Sequence, residues 1–150
     1  VRTLHAGDGT PIGNRPLKVG ESVLVRVQVK PKVHIGNGLV VDHIPAGLEI
    51  ENLNLVEGEA MGSVAIAGID PAAAMADRRI QHVEIRDDRF VAAVRLQGEI
   101  NLFYRARVVT PGRFVVPPVY AEDMYRPDTY GLAEGDGSLT VIDGKEKAAP

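Results

Sequence analysis

The chain has no cysteine and no tryptophan, and aromatic residues make up only 5% of its 150 residues. Without cysteine there is no disulfide framework, thiolate metal site, cysteine nucleophile or internal thioester in this stretch. Positive charge is not in excess: Lys and Arg number 17 against 20 Asp and Glu, for a formal net charge of -3. That balance excludes a nucleic-acid binder held by a general positive field. No apolar run approaches the ~18 residues of a membrane span, so no direct membrane contact is expected. No leader pattern opens the chain at Val1, which reads as the start of a piece of something larger.

What is abundant is valine, inside a 45% apolar composition cut by 16 glycines and 10 prolines. The length fits one domain with a hydrophobic core. β-branched runs punctuated by turn formers predict a mainly-β domain. Val23, Val25, Val27 and Val29 alternate with Leu24, Arg26 and Gln28, the period of a strand with one buried face. LVVDHIP, ended by Pro45, and AGLEIENLNLVEG read as two further strands, with a change of phase near Asn52 that suggests a bulge. IQHVEIR and RFVAAVRL flank an Asp87-Asp88 turn. In EINLFYRARVV, Ile100, Leu102, Tyr104, Ala106 and Val108 share one face and Asn101, Phe103, Arg105 and Arg107 the other. RFVVPPV and GDGSLTVI complete the set, while 1–16 and 30–38 read as turns and loops. One short helix is expected over about 71–79, with Asp70 as its cap and Pro71 in its first turn. Seven or eight short antiparallel strands and one helix define a β-sandwich over 1–142, followed by a flexible tail at 143–150.

Motifs for catalysis are missing. His5, His34, His43 and His82 show no ligand-pair spacing, and Ser22, Ser63 and Ser138 lack a nucleophile-elbow context. No phosphate-binding loop is present, and neither cofactor nor metal is expected. Arg95, Arg105 and Arg107 alternate on strands and suit either a protein interface or a solvated face. The segment AEDMYRPDTY at 121–130 is unusual for a loop. Exposed Met124 and Tyr125 would be costly there without a contact, supplied either by the domain's own core edge or by a neighbouring domain.

Taken in order, LKVGESVLVRVQV, VVDHIPAGLEIEN, HVEIRDDRFVAAV, FYRARVVTPGRFVVPP, EDMYRP and GSLTVI resemble the C-terminal macroglobulin-like domain of bacterial alpha-2-macroglobulins. The resemblance runs from about Leu17 to Ile142 and implies an antiparallel immunoglobulin-like, macroglobulin-like β-sandwich. It also implies a non-enzymatic role in a large periplasmic protease trap, in some members tethered to the inner membrane as a lipoprotein. There a target protease cuts a bait region, and an internal Cys–Gln thioester in a separate helical domain couples to it. The implied partners are the thioester domain, the other macroglobulin domains and target proteases, with a penicillin-binding protein for some members. On this resemblance Met124 and Tyr125 would cover the thioester, while Glu122, Asp123 and Arg126 hold the loop's shape or pair across the interface, and Pro127 closes the shielding segment EDMYRP. Two other readings use the same sandwich: a spacer in an adhesive surface protein, and plain inter-domain packing in a family member without a thioester.

Overall fold

The computed structural model describes residues 1–51, 65–132 and 137–143, the side chains of 127 and 132 excepted. Among these, the chain runs β1 (Arg2–Ala6), β2 (Leu17–Lys18), β3 (Ser22–Val29), β4 (Ile35–His43), β5 (Leu48–Ile50), α1 (Pro71–Met75) and β6 (Ile80–Ile85). It continues through β7 (Arg89–Leu96), β8 (Ile100–Val108), β9 (Gly112–Val115), β10 (Tyr120–Asp123), β11 (Arg126–Leu132) and β12 (Ser138–Ile142). A four-stranded sheet in the order β1-β3-β8-β5 faces a five-stranded sheet in the order β11-β10-β4-β7-β6, and β2-β12-β9 form a smaller third sheet. All pairings are antiparallel except that of β12 with β2.

Two independent alternations meet in register to build the core. Val23 pairs with Ala106, Val25 with Tyr104 and Val27 with Leu102. All six are buried, because residues paired across a ladder point to the same face. From the other sheet, Phe90, Ala92, Val94 and Leu96 alternate inward along β7. The Phe90 and Tyr104 rings stack with centroids 4.8 Å apart. Fully burying each valine or leucine in this core stabilises the fold by about 1.5–3 kcal/mol over leaving it exposed.

The structure differs from the expected pattern in several places. Arg2–Ala6 is a strand rather than part of a turn region, because β3 offers it a free edge. The expected turn follows it: Gly9 takes a φ of 88° and the Asp8 side chain accepts from the Thr10 N–H at 2.9 Å. β4 begins at Ile35, inside the expected loop. The helix stops at Met75, four residues early, because the Asp77 carboxylate takes the Arg79 N–H and guanidinium and turns the chain. Its start matches expectation, with Asp70 accepting from the Ala72 N–H at 3.1 Å. The suspected bulge near Asn52 and the tail beyond Asp143 lie outside the described residues.

Phe103 and Leu24 belong to the phase expected to face solvent, yet both are buried. They join Ile66 in a second apolar cluster on the outer side of the sheet, with Ile69, Ala74 and Met75 packed against it. The Met75 sulfur accepts the Phe103 backbone N–H at 3.2 Å. So α1 and the turn before it act as a patch over the outer face of β3 and β8.

A charged network ties the two main sheets together. Asp42 shares its phase on β4 with Val40, and its side chain is fully buried. Its Oδ1 accepts from Arg2 Nη1 at 2.5 Å and its Oδ2 from the Tyr104 hydroxyl at 2.6 Å. The Arg2 guanidinium also donates to the carbonyls of His43 and Pro117. Burial first, then the Asp42 charge and hydrogen bond, pushes the Tyr104 phenol well above its ordinary pKa of 10.0. A raised folded-state pKa contributes stability that is complete below the unfolded value and is lost as pH climbs through the folded one. Folding stability should therefore fall above about pH 10, and Tyr104→Phe should flatten part of that fall in urea titrations from about pH 8 to 11. An identical fall in both proteins would remove Tyr104 as its cause.

Candidate interaction site

The segment expected as a loop at 121–130 is instead two strands and a tight turn. β10 pairs with β4 from Tyr120↔Val41 to Asp123↔Gly38, and on its other side with β11. The alternation was invisible in the sequence because Tyr120, Glu122 and Tyr130 form an outward, half-polar face. Tyr120 and Tyr130 stack with centroids 6.1 Å apart, and the Tyr120 hydroxyl donates to Glu122 Oε2 at 2.7 Å. That hydrogen bond raises the Tyr120 pKa above its ordinary value. Glu122 pairs with Tyr130 but Asp123 pairs with Arg126, so the ladder carries an irregularity that bends the hairpin at its tip. Pro127 lies on β11, the sheet's edge strand, where its missing N–H costs no ladder bond.

Two fixed contacts hold the tip, Met124–Tyr125. Asp123 Oδ1 accepts the Tyr125 N–H at 3.0 Å, and the Met124 N–H donates to the Asn37 carbonyl at 2.9 Å. Gly38 beside Asn37 lets β4 lie close on β7, since a Cβ there would be 2.7 Å from Leu96 Cδ1 and 3.0 Å from the Val94 carbonyl. With its backbone anchored, the tip presents Met124 at 41% and Tyr125 at 79% exposure, and Tyr130 nearby at 65%. Large apolar side chains held in solvent by a rigid backbone suit contact with another surface. The alternative expectation, that Met124 and Tyr125 fold back on the domain's own core, does not hold.

The sequence-derived site residues thus divide. Asp123 accepts from the Tyr125 N–H at the tip, and Glu122 accepts from the Tyr120 hydroxyl behind it. Arg126 is exposed and makes no ion pair among the described residues. Asn37, Tyr120 and Tyr130 belong to the site as well, and pairing in space, not sequence proximity, brings Asn37 to it. Arg95 lies on the five-stranded sheet, whereas Arg105 and Arg107 lie on the four-stranded one, so the three arginines form no single patch. Of the histidines, only His5 is buried, with Nδ1 3.2 Å from the Gly9 carbonyl and Nε2 2.9 Å from Thr3 Oγ1. Among the described residues no group of three or more His, Cys, Asp or Glu could hold a metal, and no helix is long and apolar enough to cross a membrane.

These elements define an antiparallel β-sandwich domain that carries an apolar-tipped hairpin. The chain belongs to the bacterial alpha-2-macroglobulin MG10 domain family, whose model matches residues 1–128. It is 45% identical over 144 residues to an alpha-2-macroglobulin of Xylella fastidiosa (strain Temecula1 / ATCC 700964), covering 95% of this chain and 9% of that protein. It is 42% identical over 143 residues to the alpha-2-macroglobulin of Escherichia coli (strain K12), covering 93% of this chain and 9% of that protein. Among solved structures, it matches native E. coli alpha-2-macroglobulin from domain MG7 to the C-terminus with a TM-score of 0.83 and 38% identity, over 94% of this chain and 22% of that one. Salmonella alpha-2-macroglobulin reacted with methylamine matches with a TM-score of 0.79 and 36% identity, over 95% of this chain and 9% of that one. The chain therefore spans about a tenth of the length of its full-length relatives.

Proposed function

We propose that this domain is the non-catalytic lid and support of a periplasmic protease trap, in which Met124 and Tyr125 keep water from the parent's thioester. The observation that carries this reading is the tip itself, with a methionine and a tyrosine exposed on a hairpin whose backbone is fixed at both Asn37 and Asp123. A thioester survives only where water is excluded, so its resting state needs a dry cover that can be withdrawn. A pliable thioether fills an irregular surface, and a flat ring adds apolar area with one polar handle. The chain has no cysteine of its own, which fits a cover and not the reactive centre. In this reading the partners are the thioester domain and other macroglobulin domains of the parent. Proteases are met through the parent, and in the membrane-tethered setting a penicillin-binding protein is a further neighbour.

The test uses the full-length parent. With Met124→Ala and Tyr125→Ala combined, spontaneous hydrolysis should accelerate severalfold, read as free thiol released over time before any protease is added. An unchanged rate of thiol release rejects the lid.

A further inference from the structure

A second surface lies along the strands of the same hairpin, away from its tip, and shares Tyr130 with the site above. The β3–β4 connection, residues 30–34, runs past β10 and β11 and leaves a groove of about 520 Å³ between them. Its floor is apolar, formed by Val29, Ile35, Leu96 and Ala121. The groove is open because its wall is built of small residues. Ala121 pairs with Gly131, so the two share a face, and a Cβ at Gly131 would meet nothing within 4 Å.

The charged residues that line the rim among the described residues are lysines. They are Lys30 and Lys32, and among the described residues that line it none is acidic. Lys30 is 71% exposed on its side chain and lies 3.8 Å from Glu99, a solvated pair that a better-placed carboxylate would displace easily. Lys32 is exposed and has no ion pair among the described residues. Alongside runs β11, whose outer edge has no strand partner among the described residues. An edge with free backbone donors and acceptors favours an extended ligand, and an apolar floor selects alternate side chains along it.

We infer that this groove is a docking site for an extended, acidic segment of a partner protein, with apolar side chains on the floor and carboxylates against Lys30 and Lys32. A second copy of this chain is a poor occupant. A two-fold contact at this edge would bring the same lysines together, and like charges facing each other oppose association.

The experiment uses the 150-residue chain and a fluorescein-labelled peptide of alternating glutamate and valine, capped at both ends, with alternating lysine and valine as control. Fluorescence anisotropy should show saturable binding of the acidic peptide only. Lys30→Glu with Lys32→Glu should weaken it about tenfold or more, as charge reversal at a complementary rim does. Gly131→Val, which plugs the groove at a strand-compatible backbone position, should weaken it similarly while leaving the melting temperature close to that of the parent chain. Tyr125→Ala should leave binding unchanged, which separates this site from the proposed lid. The inference is overturned if the acidic peptide fails to bind, if the basic peptide binds equally, or if affinity survives both sets of changes. Sedimentation showing a dimer that Gly131→Val dissolves would assign the groove to self-association instead, and would also overturn it.

Discussion

Replacing Asp42 by alanine should lower folding stability by about 3–5 kcal/mol, because it breaks a buried pair from one side only. The Arg2 side chain is 4% exposed, so its guanidinium would keep its charge with little access to water. The Tyr104 hydroxyl would lose its acceptor in the middle of the core. An unpartnered buried donor carries its full desolvation cost, whereas replacing all the partners by apolar groups can be nearly neutral. Asp42→Asn should cost less than Asp42→Ala, since an amide oxygen can still accept from Tyr104. The check is a denaturant midpoint and slope on the 150-residue chain. A loss under about 1 kcal/mol would show that Arg2 escapes to solvent and that the network adds little net stability. The network also bears on the site. Asp42 is adjacent to Val41, where β10 joins β4, and Arg2 grips the carbonyl of Pro117 just before β10 begins. Loosening it should raise amide exchange along Tyr120–Asp123 first.

Phe103→Ala should cost a similar amount, about 3–5 kcal/mol, and its signature should be local to α1. The Phe103 ring is fully buried between Leu24 and Ile66, with Ile69, Ala74 and Met75 closing over it. A five-residue helix is too short to persist by its own hydrogen bonds, so its stability comes from this packing. Removing the ring leaves α1 without a platform. Amide exchange over Ile66–Ala76 should then rise before the main core opens, and a protease should cut there. Equal protection in α1 in both proteins would mean that Leu24 and Met75 hold the patch without Phe103.

The strands with strict alternation were legible at once. β3, β6, β7 and β8 could be placed from residue spacing because apolar residues alternate along the face each turns to the core, and turns such as Asp87-Asp88 mark their ends. Other features were not legible, for specific reasons. Phe103 reads as solvent-facing from its phase, and only the arrival of 66–75 over that face buries it. Asp42 sits in the apolar phase of VVDHIP, which marks it as a carboxylate bound for the core. Its partners lie 40 and 62 residues away, where no spacing rule connects them. The hairpin at 120–132 looks like a loop because tyrosine and carboxylate occupy its outward face, so no apolar alternation marks it.

By itself the sequence determined a cysteine-free, valine-rich β-domain, its family, and the residues able to form an apolar, aromatic tip. Local periodicity and an ordered set of motifs are enough for that, because side-chain direction in a strand follows from chain geometry alone. The tertiary structure decided which of those residues stand exposed. Met124 and Tyr125 stay exposed because Asn37, from a distant strand, fixes the turn. The lysine-rimmed groove exists because Ala121 and Gly131 fall opposite each other across β10 and β11. Both depend on pairings between segments far apart in the chain, and a strand's own sequence does not encode which neighbour it will meet.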